Sequence, residues 1–296
     1  MIKYDPRDWW GVTFALRGTI IQRIWKRMAA LVVLTILLII AEMYLGLSLA
    51  IDALGHTLIG VALGLLLVFR NNASYDRYWE GRKCLGGIVV ASRNLIRIGS
   101  IYAGLNDELA KRVTAYALAV KNNLRLQKQP EEFIPYLPEA EIRALETSRN
   151  FPLLIATSIS GLIQEQLKAG RIVAIVAGMM ERQVDELLNN QASCERIAHT
   201  PIPFGHAAHI RQLLFIYIVT LPFVLVPKLQ WMAIFAVMFI GFGLMGIQEA
   251  GVEIEDPFGE DLNDLPVDEL CQVIARDTRM VADLSHLQAD EPKQSA

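Results

Sequence analysis

The chain has 296 residues, 53% of them hydrophobic, and a mean hydropathy of +0.34, which is too apolar for an ordinary soluble globule. Its 28 basic and 31 acidic residues nearly balance at a net charge of −3, and with no polybasic or aromatic-basic motif this excludes a general nucleic-acid binder. Cys84, Cys194 and Cys271 are odd in number, far apart and without CxxC spacing, which excludes a disulfide framework or zinc knuckle and leaves three reduced, buried thiols.

Residues 1–28 carry Arg7, Arg17, Arg23, Lys26 and Arg27 beside Asp5 and Asp8, and no small-residue cleavage site follows the next apolar run. They read as a cytosolic N-terminal segment rather than a signal peptide. Residues 29–80 hold two membrane helices. Ala29 to Ala50 contains Glu42 as its only charge and meets the length of about 20 apolar residues that a span requires. Thr57 to Phe69 is shorter, but no helix breaker follows Arg70 through Trp79, which predicts one long helix that crosses the membrane and continues into the cytosol.

Residues 81–211 predict a cytosolic helical domain. Asn106 is a candidate N-cap, after which Leu109, Val113, Ala117, Val120 and Leu124 recur on one helical face. Lys128, Gln129 and Pro130 end that helix, Asn150 with Pro152 starts another, and Gly170 is a stop. No stretch alternates with period two long enough for a sheet. Residues 212–251 predict two further spans, Leu213 to Val226 and Leu229 to Ile247, joined through Pro227 and Lys228 as an antiparallel hairpin. Residues 252–296 read as a cytosolic acidic segment with a frayed tail from Asp290 to Ala296.

Basic residues near span ends mark the cytoplasmic side. Arg17, Arg23, Lys26, Arg27, Arg70, Arg77, Arg82, Lys83 and Arg211 stand on one side against Lys228 on the other. Both termini are therefore expected in the cytoplasm.

Val61, Leu65 and Phe69 fall at i, i+4 and i+8, and Asn72 and Asp76 continue the same face. An apolar stripe passing into polar residues has the form of a hydrophobic constriction opening into a wet vestibule. Periodicity alone allows the same three residues to be helix-packing contacts. Gly60 and Gly64 form a GxxxG pattern suited to close helix approach. Arg70 and Arg77 fall on the opposite face, behind the stripe, where carboxylates or carbonyls must meet them. Glu42 is the expected partner for Arg70 or for a neighbouring helix. His206 and His209 have metal-ligand spacing without a third ligand nearby and read as interfacial histidines.

Asp8-Trp9-Trp10-Gly11, the Phe69 to Trp79 stretch ending Tyr75-Asp76-Arg77-Tyr78-Trp79, and Asp256-Pro257-Phe258-Gly259-Glu260-Asp261 together resemble the bestrophin family in its bacterial branch. The likeness runs through nearly the whole chain in order. It implies an all-α membrane protein with four transmembrane helices and a helical cytosolic domain, assembled as a homopentamer around a central pore in the lipid bilayer. It implies passive conduction of small inorganic ions, no required cofactor and no enzymatic activity. The apolar neck of this family matches Val61, Leu65 and Phe69. Its second, cytosolic constriction falls in the Ile172 to Met180 helix, at Ile175 or Met179.

Animal members bind calcium through an acidic cluster after their Asn-Pro-Phe-Gly string. Here Leu262 and Asn263 interrupt that cluster and leave Asp261 and Asp264, a marginal site for an ion that takes six to eight oxygens. Animal members conduct anions, whereas bacterial members resemble cation channels. In a pentamer Asp52 would ring the outer mouth and Asp76 the region below the neck, which favours monovalent cations such as Na or K. The alternative is a chloride channel of the same fold. No HExxH, GxSxG or P-loop string supports a membrane enzyme. Spans one and two do not mirror spans three and four, as a secondary transporter's would. A non-conducting scaffold would be indifferent to enlarging the Leu65 stripe.

Overall fold

The computed structural model describes residues 2, 4–47, 49–148 and 150–289, with side chains to residue 284. Its regular elements, among the described residues, are helices and short 3-10 turns. They are α1 (Trp9–Thr13), α2 (Ile21–Leu45), α3 (Ala53–Ala103), α4 (Asp107–Leu124), α5 (Glu139–Thr147), α6 (Phe151–Lys168), α7 (Ala174–His199), α8 (Phe204–Leu229), α9 (Ala233–Glu253) and α10 (Val267–Ala289). They form two compact units, Met1–Tyr78 with Pro201–Asp264, and Trp79–Thr200 with Leu265–Ala296. The expected tail from Asp290 to Ala296 lies outside the described residues.

In the first unit α2 begins at Ile21, ahead of the continuous apolar run, because Ile24 already belongs to the buried stripe that Leu31 and Ile39 continue. Its 25 residues reach about 38 Å, against a bilayer hydrocarbon core of about 30 Å. Gly46 closes it at φ +67, a left-handed position that glycine occupies without strain. Asp52 then caps α3, its carboxylate accepting the Leu54 N–H at 2.8 Å.

The connection from α8 to α9 lies at Gln230, with φ +48, and not at Pro227 and Lys228, because Pro222 and Pro227 are both inside α8. A membrane helix tolerates proline where other groups satisfy the carbonyl it frees. Pro227 has no N–H for the Phe223 carbonyl, and the Ile51 N–H takes that carbonyl at 3.2 Å. Leu31, Leu63, Leu67, Leu214, Val237 and Met245 form the core where α2, α3, α8 and α9 meet.

The helices α2, α3 and the α8–α9 pair are long and apolar enough to cross a membrane, yet only 22% of each qualifying window is buried. In water that much apolar surface would not stay exposed.

The second unit is organised around α4, which packs against α6 and α10. The single apolar face expected for α4 is too narrow: Ala110, Thr114, Ala115 and Ala119 are buried as well as Leu109, Val113 and Val120. The helix is covered on more than one side. Asn150 caps α6 through the Leu153 N–H at 3.0 Å, and Gly170 ends the following turn at φ +67. Asn106 precedes α4 without a side-chain cap bond.

The acidic C-terminal segment contains a helix of 23 residues, α10, which the sequence reading passed over. Its buried row of Cys271, Ile274, Thr278 and Ala282 is built largely from small or polar residues, so it shows weakly as an apolar stripe. Ion pairs from Arg125 to Asp268 at 2.7 Å and from Arg93 to Asp277 at 2.5 Å hold it. All three cysteines are buried free thiols. Burial raises the Cys84 and Cys194 thiols and pushes Cys271 up to about 12, which keeps them unreactive.

Candidate functional site: an exposed apolar stripe on α3

The 51 residues of α3 form one helix, so the side chains of its first turns alternate between two sides according to 3.6 residues per turn. Leu63 and Leu67 are 0% and 2% exposed, while Val61, Leu65 and Phe69 are 63%, 56% and 65% exposed. Helix packing within the chain therefore does not account for the three stripe residues. They present an apolar row to something else. Asn72 and Asp76 follow on the same row and are also exposed. Asp76 makes no hydrogen bond or ion pair among the described residues.

Behind the stripe the helix is anchored. Arg70, 1% exposed, donates to Gln248 Oε1 and to Glu255 Oε2 at 3.1 Å. Arg77 Nε donates to the Glu255 backbone carbonyl at 3.2 Å, and Tyr78 Oη donates to the Asn263 carbonyl at 3.2 Å. The expectation that Arg70 and Arg77 sit behind the row with carboxylate and carbonyl partners is met. The proposed partner Glu42 is not the one used. Glu42 stands near the C-terminal end of α2 beside Leu47 and Pro227, whereas Arg70 lies about 25 Å along α3 from its start. Burying a guanidinium without a counter-charge is costly, and Glu255 supplies that charge.

Two glycines permit this packing. A Cβ on Gly251 would collide with Asn71 Oδ1, so a side chain at residue 251 would displace the Asn71 amide. A Cβ on Gly60 would lie 2.7 Å from Tyr217 Oη. The Tyr217 ring also stacks on His56 with centroids 4.0 Å apart. Gly64 meets nothing within 4 Å, so only the first glycine of the GxxxG pattern is used inside the chain.

The other sequence candidates take up different positions. Asp52 is exposed and caps α3. Ile175 and Met179 stand one turn apart at the start of α7, 77% and 41% exposed, and both remain candidates for the second constriction. Asp261 pairs with Arg23 at 2.8 Å. Asp264 is buried and accepts the Asp261 N–H at 2.7 Å, and its desolvation pushes its pKa up to about 6. One carboxylate is thus neutralised by arginine and the other is turned onto a backbone donor. Among the described residues no group of three or more His, Cys, Asp or Glu could hold a metal ion. The pair by itself offers two carboxylates toward the six to eight oxygens that calcium takes.

The loop carrying these aspartates has a clear structural use. Phe258 is buried at 1% exposure, Asn263 donates to the Gly18 carbonyl at 3.1 Å and to Glu253 at 2.8 Å, and the Leu262 carbonyl accepts the Ile2 N–H at 3.0 Å. The sequence reading missed Gln248 and Glu255. Gln248 was visible as a polar residue closing an otherwise apolar run, at the depth where a buried arginine needs an acceptor.

The model of a family described as Bacterial/Fungal Bestrophin protein matches residues 1–280. Voltage-dependent anion channel-forming protein sll1024 of Synechocystis is 38% identical over 280 residues, covering 91% of this chain and 90% of that protein. Voltage-dependent anion channel-forming protein YneE of Escherichia coli is 29% identical over 295 residues, covering 98% and 96%. The crystal structure of a bacterial bestrophin homologue from Klebsiella pneumoniae matches with a TM-score of 0.82 at 29% identity, covering 88% of this chain and 98% of that one.

Proposed function

This chain belongs to the bacterial and fungal bestrophin family, and from that premise we propose that it forms a passive pore for small monovalent ions, with Val61, Leu65 and Phe69 as the apolar neck. The observation that carries the proposal is the exposure of all three side chains while their neighbours Leu63 and Leu67 are buried. A homopentamer in the bacterial inner membrane, with α2, the first half of α3, α8 and α9 as its spans, would turn five copies of the row toward one axis. An apolar ring of that kind gates by expelling water, and the polar row that follows, Asn72 and Asp76, returns the ion to hydration. Ile175 or Met179 would form a second ring near the start of α7. Both termini would be cytoplasmic, and no cofactor is needed for diffusion down a gradient.

Anions are the main reading for the permeant ion, supported by the names of the relatives, which describe anion channel-forming proteins. The acidic-ring reading from the sequence is the second one. It keeps a specific observation in its favour, the unpaired and exposed Asp76 below the neck. Its other member, Asp52, is engaged in capping α3, which weakens the lean toward cations.

The test is the reversal potential of the purified protein in a planar bilayer under a tenfold NaCl gradient. A shift toward the chloride potential supports the anion reading. A shift toward the sodium potential replaces it with the cation reading, and Asp76→Asn should then reduce the preference. Absence of any current, with the protein inserted, would sink the channel itself.

A further inference from the structure

A groove of about 530 Å³ runs between α2, α8 and α9. One end is polar, formed by Arg27, Arg211, Gln248 and Glu249, and the other is apolar, formed by Leu34, Ile218, Val219 and Met245. Along α2 the change takes place from residue 27 to 34, along α8 from 211 to 219, and along α9, which runs in the opposite chain direction, from 249 back to 245. Three helices thus change from polar to apolar the same way, over about 6 to 12 Å, with Val252 lying beyond the polar end on α9. That gradient is the profile of the boundary between headgroups and acyl chains, where basic residues gather on the cytoplasmic side.

The charges at the polar end are unequal. Arg27 meets Glu249 at 2.9 Å, whereas Arg211 is exposed and has no hydrogen bond or ion pair among the described residues. One guanidinium is left over, in a geometry suited to phosphate oxygens. Phe215, 68% exposed, stands at the groove's rim.

We infer that this groove binds an acidic phospholipid, with its phosphate on Arg211, beside the Arg27–Glu249 pair, and an acyl chain along Leu34, Ile218 and Val219. A zwitterionic lipid carries its own ammonium group, which offsets the phosphate and gains less from the spare arginine. The inference rests on the membrane placement of α2, α8 and α9, and it does not require that the protein conduct.

The experiment is native mass spectrometry of the full chain after exchange in an equimolar mixture of phosphatidylglycerol and phosphatidylcholine, with ion flux recorded separately in vesicles of the same mixture. The expected result is preferential retention of phosphatidylglycerol. Arg211→Gln should lower that preference about tenfold, the loss of one charged hydrogen bond. Leu34→Trp should lower retention by filling the apolar limb without touching a charge. Arg17→Gln, outside the groove, should leave retention unchanged.

Unchanged preference in Arg211→Gln overturns the inference. Retention lost in Arg211→Gln but kept in Leu34→Trp also overturns it, since that pattern marks a surface attraction for phosphate alone. Exclusion of both lipids from the wild type overturns it in favour of a second copy of the chain seated in the groove. Retention without flux leaves the lipid site standing and removes only the channel.

Discussion

The first half of α3 and the whole of α4 both carry rows of apolar side chains, and they use them in opposite ways. α4 buries 12 of its 18 residues, among them Lys121, whose ammonium meets Glu132 at 3.0 Å. The membrane-length window of α3 buries only 22% of its residues, and Leu58, Leu65 and Phe69 stand outward. In α4 the hydrophobic effect operates as it does in any water-soluble core. In α3 the outward apolar surface cannot lower its free energy by folding of this chain alone and must meet lipid, another copy or a dewetted lumen. The same residue types therefore close a core within the chain in one helix and are left for an outside partner in the other.

Substitution of equivalent leucines sharpens that contrast most. Replacing Val61, Leu65 and Phe69 together with alanine should raise ion flux in liposomes at least about tenfold by widening and wetting the neck. Leu65→Ala alone should shift unfolding stability by no more than about 0.5 kcal/mol, as exposed positions do. Leu109→Ala, at a position 0% exposed in α4, should cost about 2–5 kcal/mol and leave the flux of the folded fraction unchanged. Thermal unfolding and flux assays on the same preparations check both halves. Equal flux in the triple variant would erase the functional difference between the two helices.

The buried side of α3 should respond like a core. Arg70→Met leaves Glu255 without its cation and should cost about 3–5 kcal/mol, while Arg70→Met with Glu255→Gln should recover part of that loss. A double-mutant cycle by chemical unfolding measures the coupling. Independence of the two changes would mean that the anchor is not a pair.

A pH-dependent effect comes from Asp264. Its folded pKa of about 6 lies above the ordinary aspartate value of 3.8, so between the two the native state holds a proton that the unfolded state has released. Stability should fall as pH rises between these values, by roughly 3 kcal/mol, and level off above them. Asp264→Asn should flatten that segment of the pH profile, as unfolding at a series of pH values would record. A profile that keeps its slope in the variant would assign the proton to another group.

Much of this architecture is legible in the residues. The unbroken α3, the hairpin of α8 and α9, the caps at Asn150 and Gly170 and the row from Val61 to Asp76 follow from apolar spacing and helix-terminus chemistry. Periodicity could not tell whether the row was packed or open, because a buried and a lumen-facing stripe have the same spacing. The partner of Arg70 lay 185 residues away at Glu255, beyond any local pattern. α10 escaped notice because cysteine, threonine and alanine line its buried side. The lean toward cations counted Asp52 and Asp76 as equal charges. Only Asp76 is free of a local hydrogen bond, and the side-chain order along the chain carries no record of that.

Pro227 has one further consequence. A helix-propensity scale would rank almost any replacement as an improvement at a helix-interior proline. Yet such a replacement would restore an N–H to α8 and return the Phe223 carbonyl to its own helix, in competition with Ile51. The connection between α2 and α3 would lose its mooring through a change that makes α8 a better helix. Here an imperfection in one element serves as the socket for another, and repairing it would unfasten a loop 176 residues earlier in the chain.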